Sequence, residues 1–356
     1  MSIKKLSELV IIWAVFSLNI TQLAKRKEMW HQNIIDTIGN TPLVQLNRLT
    51  EDMPCPVLVK LEIFNPGGSV KDRIGHAMIQ AAEESGQLKP GGIIVEATSG
   101  NTGTGIVQAA RIKGYRCIFT ATEKVSKEKR DLLTAYGAEL ILCPTDVAPE
   151  DPRSYYSMAE KIAEKTPGAI YLNQYFNEAN VQAHYKTTGP EIWQQTKGQV
   201  THFFATASTG GTISGSAMYL KGRNADIRVI GVDCYGSSYF KYFHEGIIDP
   251  DEIYSHQIEG AGKEYLAGNM HMELLNDYTR ASDQNAMEMA RRLAKEESIF
   301  AGQSSGLALA GALQWLEQHR HEISQSSLVV VLLPDSGMKY ISKTYNDDWM
   351  KDNNFI

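Results

Sequence analysis

Cysteine is scarce in this chain: there are four in 356 residues, Cys55, Cys117, Cys143 and Cys234, with no CxxC pair and no Cys/His ligand spacing. A disulfide framework and a zinc site are therefore not expected, no metal is called for, and a reducing, cytoplasmic compartment fits best. Positive charge is also short, since 35 Lys+Arg against 41 Asp+Glu leave a formal net charge of −6, and no dense basic stretch interrupts the body of the chain. Nucleic acid is not an expected partner. No apolar run reaches the length of a membrane span, so no membrane is expected either. Internal repeats and low-complexity segments are absent. What remains is ordinary: 43% hydrophobic and 21% charged residues, with 29 Gly and 12 Pro. Those proportions describe a globular protein and exclude disorder, collagen and coiled coil. The length suggests two domains.

The N-terminus departs from the rest. Lys4 and Lys5 precede the run Leu9 to Phe16. This has the layout of a signal-peptide core, but no small-x-small cleavage site follows, so export is not expected. Residues 1–28 read as an upstream extension or a misassigned start, with a targeting segment as the alternative. Met29 stands just before the first globular-looking segment, Ile34 to Leu43.

From Asn65 onward, short apolar runs alternate with helical periodicity. Val70, Ile74, Ala77, Met78, Ala81 and Ala82 predict a helix over 70–85, closed by Gly86. A strand at Ile93–Val95, a turn at 98–103 and a helix ending near Gly114 follow. Next come a strand from Tyr115 to Thr120, a helix capped by Ser126 and running to Gly137, and a strand at 139–143. Further on, strands are expected at 201–207, 228–232 and 328–333, with helices from Thr212, over 283–295 and over 305–319. Such alternation implies a parallel sheet covered on both faces. The fold class is therefore α/β, with two doubly wound domains of parallel or mixed sheet. The stretch from Cys234 to Leu275 is poorly periodic and too long for a plain connection, so it reads as functional loop.

Four segments carry candidate chemistry. In Gly67-Gly68-Ser69-Val70-Lys71-Asp72-Arg73, Lys71 falls in the first turn of a helix. The helix dipole and burial both disfavour its ammonium form and favour the free amine, which attacks aldehydes. An exposed lysine opening an amphipathic helix is the alternative. Ser208-Thr209-Gly210-Gly211-Thr212 lies between an apolar strand and a helix. It has neither the lysine of a nucleoside-triphosphate loop nor the pattern GxGxxG. A single terminal phosphate fits this turn, and a purely structural turn is its alternative.

Thr98-Ser99-Gly100-Asn101-Thr102-Gly103 offers hydroxyls and backbone donors suited to a carboxylate, unless it is only a capping turn. In Gly302-Gln303-Ser304-Ser305-Gly306, Ser304 reads either as a helix cap or as a ligand contact. Together these pieces match the needs of pyridoxal 5′-phosphate: an activated lysine, a phosphate cradle and a partner for a ring nitrogen.

Those segments, with Thr209-Gly210-Gly211-Thr212-Ile213-Ser214-Gly215 and Ser304-Ser305-Gly306, resemble the cysteine synthase and cystathionine β-synthase family over about residue 33 to the C-terminus. The resemblance implies a fold-type II pyridoxal-phosphate enzyme, similar to the tryptophan synthase β-subunit, with the cofactor between two domains. Residues 29–75 and 180–356 would form the larger cofactor domain, and 76–179 a smaller mobile substrate domain. It further implies that Lys71 bonds the cofactor aldehyde, that Asn101 contacts the pyridoxal 3′-oxygen and that Ser304 faces the pyridine nitrogen. Residues 208–212 would hold the phosphate. Ser208 stands where the family commonly has glycine. Thr98, Ser99, Thr102 and Gln174 would bind the substrate carboxylate.

The implied reaction is β-replacement on a serine-type amino acid through an aminoacrylate. Ala183-His184-Tyr185, Glu259-Gly260-Ala261-Gly262 and Pro334-Asp335-Ser336 resemble the cystathionine branch, which implies Tyr185 and Glu259 near the substrate entrance. Thr188 to Trp193 resembles the O-acetylserine branch. Residues 1–50 contain no cysteine, and the chain stops after the catalytic region. The haem module and the regulatory pair of domains found in animal cystathionine synthases are therefore not expected.

The leading expectation is cystathionine from L-serine and L-homocysteine. Cysteine from an activated serine and sulfide is the nearest rival, and a synthase using another amino-acid nucleophile is a third. Small amino-acid and thiol substrates would be the partners, in a homodimer as is common among relatives. A nucleotide-binding α/β protein and a catalytically silent amino-acid sensor are the readings from other classes. The first lacks its P-loop lysine, and Lys71 argues against the second.

Overall fold

The computed structural model describes residues 30–356 except Ser99 and Pro149. The expectations for residues 1–28, for Met29 and for Ser99 lie outside the described residues. Residues 38–356 form one compact unit, and the described residues before it carry a short 3-10 helix, Ile34–Thr37.

In chain order the regular elements are β1 Leu43–Gln45, β2 Val57–Leu61, α1 Lys71–Glu84, β3 Ile93–Ala97, α2 Asn101–Lys113, β4 Arg116–Thr122, α3 Lys127–Ala135 and β5 Glu139–Cys143. They continue with α4 Tyr155–Lys165, β6 Ala169–Tyr171, α5 Glu178–Lys186, α6 Thr188–Gln195, β7 His202–Thr206, α7 Gly211–Arg223, β8 Arg228–Cys234 and α8 Tyr239–Glu245. The last are β9 Asp277–Ala281, α9 Asp283–Glu297, α10 Gln303–Gln318, β10 Val329–Leu333 and α11 Asp347–Asp352.

The α/β class is as expected, with the strands in two sheets. A six-stranded sheet has the order β1-β2-β10-β7-β8-β9, and a four-stranded sheet the order β5-β4-β3-β6. Every pair is parallel except β1 on β2. Parallel strands covered by helices on both faces need apolar residues in both directions, which is why β10 reads Val-Val-Val-Leu-Leu. Val329, Val331 and Leu333 join Phe204, Ile230 and the inner faces of α9 and α10 in one core. Val330 and Leu332 join Phe203, Ala205 and the apolar faces of α6 and α7 in another. A third, small cluster of Val95, Ala97, Ile118 and Ala159 fills the four-stranded sheet.

Between Cys234 and Leu275 the chain forms α8 and two single-turn 3-10 helices but no strand. Ser126 stands before α3 but makes no side-chain cap there; its hydroxyl donates to Lys339 O at 3.1 Å. Among the described residues no helix is long and apolar enough to cross a membrane.

Helices α1 and α2 touch backbone to backbone. A Cβ on Gly75 would fall 2.3 Å from Gly105 C, and one on Gly105 would fall 2.5 Å from Lys71 O. These two glycines set how near the turn before α2 lies to the start of α1. Gly222, on α7, has nothing within 4 Å of its would-be Cβ. Gly75→Ala is expected to cost about 1–3 kcal/mol by overpacking, whereas Gly222→Ala is expected to gain about 0.5–1 kcal/mol from helix propensity. Urea denaturation of the two variants beside the wild type checks both signs.

Candidate active site

Parallel strands deliver their following loops to one edge of the sheet, and ligands in such sheets bind beyond the carboxyl ends. Here three neighbouring strands, β2, β10 and β7, end beside one another. β2 leads to Lys71, β10 leads to Pro334-Asp335-Ser336, and β7 leads to the Gly210–Gly211 turn. Residues 334–336 are the hub of this edge. Pro334 O accepts from Val70 N at 2.8 Å, Asp335 O accepts from Gly302 N at 2.9 Å, and Ser336 N donates to Gly68 O at 3.1 Å. The loop of Lys71 and the loop of Ser304 thus flank the same three residues.

A buried set of charges fixes the start of α1. Arg73 bonds Glu62 through Nε at 2.8 Å and Glu191 through Nη1 at 2.7 Å. Lys60, buried in mid-strand, bonds Glu191 at 2.7 Å and Thr41 O at 2.6 Å. Two cations and two carboxylates balance, as burial requires. Burial alone would raise the Glu191 and Glu62 pKa values. Arg73 and Lys60 override it, leaving Glu62 below its ordinary value and Glu191 down at about 2. One residue away, burial pushes Asp72 up to about 7 despite Lys339 nearby.

Lys71 is the first residue of α1, and Ser69 Oγ accepts from its backbone N–H at 3.3 Å. Its Nζ makes no hydrogen bond or ion pair with a described residue. Burial pushes its pKa down to about 8, which raises the free-amine fraction at pH 7 to about a tenth, far above that of an ordinary lysine. The His184 ring, which feels the charge of this amine, bonds to the helix that follows the glycine turn. Burial first, then Lys71 and Arg73, drive the His184 pKa well below its ordinary value, so the ring is neutral. His184 Nδ1 meets Thr188 Oγ1 at 2.9 Å and Nε2 meets Thr212 Oγ1 at 3.2 Å.

Thr212 lies in the first turn of α7, whose cap, Gly210, has φ +85°. A Cβ on Gly210 would strike Met270 at 2.5 Å, and one on Gly211 would strike Asn180 Oδ1 at 2.0 Å. Only glycine fits at either place, which leaves backbone N–H groups at the mouth of a helix N-terminus. Thr209 Oγ1 accepts from Asn180 Nδ2 at 3.0 Å, while Asn180 Oδ1 is buried without a partner. Ser208 O accepts from the Tyr239 hydroxyl at 2.6 Å.

The turn at the carboxyl end of β3 faces this edge. Thr98 Oγ1 accepts from Gly100 N and Gly103 N, both at 3.0 Å, so this hydroxyl does act as a cap. Thr102 Oγ1 donates to Gln174 Oε1 at 2.7 Å, which brings these two candidates together. Asn101 Nδ2 donates to Asp335 Oδ2 at 2.8 Å, and Lys339 Nζ donates to Asn101 Oδ1 at 2.7 Å. Asn101 thereby joins the turn to the hub. Ser304 is buried in the first turn of α10, where Gly302 is the cap, and its hydroxyl bonds no described residue.

Glu259 is gripped by Lys129 at 2.7 Å and Lys343 at 2.6 Å. Lys129 also reaches the Tyr340 hydroxyl at 3.1 Å, and Tyr340 donates to Asp335 Oδ2 at 2.7 Å. Glu259 is therefore tied to the hub. Tyr185 is not: it is 38% exposed, stands edge-on to Tyr219 and makes no hydrogen bond to the other candidates. Asp335, Lys339, Lys129, Tyr340 and His184 are contributors that sequence reasoning did not single out as site residues. Among the described residues no group of three or more His, Cys, Asp or Glu side chains is arranged to hold a metal ion.

A family model described as "Pyridoxal-phosphate dependent enzyme" matches residues 34–335. The chain is 42% identical over 334 residues to the cystathionine beta-synthase of Dictyostelium discoideum, covering 93% of this chain and 65% of that one. It is 40% identical over 311 residues to the cysteine synthase of Staphylococcus aureus (strain Mu50 / ATCC 700699), covering 87% and 95%. A crystal structure described as an O-acetylserine dependent cystathionine beta-synthase from Helicobacter pylori superposes with a TM-score of 0.79 at 33% identity, covering 88% and 98%. The fold is thus that of the type II synthases. The chain spans 57% to 65% of the length of the Dictyostelium cystathionine beta-synthase and of five other curated ones, and 98% of the Helicobacter one.

The buried charges predict a pH signature. Glu191 titrates lower folded than unfolded, so its stabilisation is complete above about 4.5 and fades as pH falls toward about 2. Glu191→Gln is expected to cost about 3–5 kcal/mol at pH 7. That gap from wild type should narrow as pH drops below 4, which urea titrations at pH 7, 5 and 3.5 will reveal.

Proposed function

The chain belongs to the pyridoxal-phosphate dependent enzyme family, and from that premise we propose that it catalyses β-replacement on L-serine or an O-activated L-serine. Cystathionine formation from L-serine and L-homocysteine is the favoured reaction. The observation that carries the reading is the common edge of β2, β10 and β7, to which the loops of Lys71 and Ser304 and the glycine-lined helix N-terminus all belong.

The residues present fit pyridoxal 5′-phosphate. Lys71 has an uncommitted amine of lowered pKa, and the Gly210–Gly211 turn admits no side chain. Lys71 would hold the cofactor, Asn101 and Ser304 would contact its ring oxygen and nitrogen, and residues 208–212 would bind its phosphate. When bound, the cofactor supplies an aldehyde for the substrate amine and a conjugated ring that withdraws electrons from the α-carbon.

This chain's own groups account for the rest. Thr98, Ser99, Thr102 and Gln174 orient the substrate carboxylate. Lys71 Nζ, free of ion pairs, takes the α-proton as a base. Its pKa near 8 leaves it basic enough to accept a proton and weak enough to return it. A hydroxyl, unlike a carboxylate, does not hold a ring nitrogen protonated, so Ser304 favours loss of the β-substituent over a fully developed carbanion. A thiol then adds at the β-carbon. The proton that Lys71 takes from the α-carbon is the one available to a departing hydroxyl, while Glu259, kept ionised by Lys129 and Lys343, keeps the entrance polar. Tyr185, on the exposed side of α5, is assigned to the substrate approach. Residues 76–179, which carry the four-stranded sheet, act as the mobile substrate domain against 29–75 and 180–356.

The alternative is cysteine formation from O-acetyl-L-serine and sulfide, supported by the similarity to the Staphylococcus protein. A related synthase with another amino-acid nucleophile is the third reading. We place the enzyme in the cytoplasm, as its four cysteines are free and buried, and as a homodimer.

Purified protein should be yellow, and borohydride reduction should fix the cofactor on Lys71 in the wild type but not in Lys71→Ala. L-serine or O-acetyl-L-serine offered with L-homocysteine or sulfide in all four pairings, with products weighed by mass spectrometry, should give mainly cystathionine. Cysteine from O-acetyl-L-serine alone would reverse the assignment.

A further inference from the structure

Lys263 directly follows the glycines of Glu259-Gly260-Ala261-Gly262, and the mechanism above does not use it. Its residue is only 7% exposed. Its ammonium lies over three tyrosine rings, 4.8 Å from the Tyr156 centroid, 4.6 Å from Tyr175 and 5.2 Å from Tyr265. It also donates to the Tyr156 hydroxyl. Two serines hold the backbone at this point, for Lys263 N donates to Ser237 Oγ at 3.1 Å and Lys263 O accepts from Ser238 N at 2.8 Å. The position is thus rigid.

What the cage lacks is a buried anion. Among the described residues its one ion-pair partner is Glu264 at 3.6 Å, whose side chain is 57% exposed. Lys60, Arg73 and Lys129, the other deeply buried cations with carboxylate partners, all meet theirs at 2.7–2.8 Å, with those carboxylates at most 13% exposed. Aromatic faces soften the isolation of an ammonium but do not neutralise it.

Two neighbours show where a missing carboxylate could come from. Tyr175 follows Gln174, which is bonded to Thr102 in the candidate substrate turn. Tyr156 lines a cavity of about 520 Å³ beyond the carboxyl ends of β4 and β5, with Thr122, Ser154, Tyr155, His256 and Glu264. The other charged groups on that wall, Lys124 and Asp146, are of opposite sign. Lys263, bonded to Tyr156 behind this opening of amino-acid size, offsets the excess negative charge that Asp146 and Glu264 leave against Lys124.

We propose that Lys263, with Tyr156, anchors a carboxylate on the incoming nucleophile and so selects a carboxylate-bearing thiol over sulfide. This rests on the β-replacement reading and specifies its second substrate class. Lys263 is a specificity residue here, with no part in bond making.

The test compares holoenzyme, Lys263→Met and Lys263→Arg with two thiols that differ only in the carboxylate, 4-mercaptobutyrate and 1-propanethiol, and with L-homocysteine. In Lys263→Met, KM for the two carboxylate thiols should rise about 10- to 100-fold, the value of one charge-assisted hydrogen bond. KM for propanethiol and for serine, and the serine-induced absorbance change, should stay as in the wild type, and Lys263→Arg should recover part of the loss. Calorimetry with 4-hydroxybutyrate, which cannot react, should show the same weakening without turnover. Equal KM changes for both thiols, or binding of 4-hydroxybutyrate indifferent to the substitution, would overturn the proposal. If no thiol is turned over by the wild type, the β-replacement reading fails, and the calorimetric arm alone decides for or against the Lys263 anchor.

Discussion

The two-by-two set of charges around Arg73 is the constraint from which the rest of the site follows. Its four members come from β2, the turn after it, the first helical turn of α1 and helix α6, up to 131 residues apart in the chain. Removing any one leaves a buried charge without its complement, so the set is either complete or strongly destabilising. Because Arg73 is two residues from Lys71, satisfying the guanidinium also sets the direction in which α1 begins. The amine owes its place to bonds it does not make. It can remain unpaired because its neighbours carry the ion pairing.

A second constraint is steric. With Gly75 and Gly105 in contact, helices α1 and α2 approach as only bare backbone allows, and the turn containing Asn101 is brought to the hub at 334–336. Asp335 accepts there from both Asn101 and Tyr340, which links the two sheets through side chains rather than through strand pairing.

Much of this was legible in the residues. The alternation from Asn65 to Cys143 gave β3, α2, β4, α3 and β5 to within about two residues, because parallel strands are apolar throughout and their helices keep one apolar stripe. Glycine turns were legible because close backbone approach admits nothing else. Strand β2 was not: Val-Leu-Val-Lys-Leu carries a lysine in a buried position, and the glutamate that satisfies it is 131 residues away. Strand β9, Asp-Tyr-Thr-Arg-Ala, is masked by its charges in the same way. Gly189-Pro190 looks like a break, yet both residues sit in the first turn of α6, where a proline lacks no needed donor. Lys339 and Lys129 had no local signal at all. Each is one lysine among many until the fold puts it against Asn101 or Glu259.

The order of strands has a consequence for how the protein is made. β10 follows every other described strand in the sequence, yet it lies between β2 and β7 near the middle of its sheet, and its exit supplies Pro334 to Ser336. During translation β2 and β7 emerge with a gap between them that nothing upstream fills. Everything up to Ser336 must leave the ribosome before that gap closes, so a shorter nascent chain cannot display a working reaction centre. Long-range pairing of this kind is slow to form, and until it forms the nascent chain has exposed strand edges that cellular chaperones would need to shield.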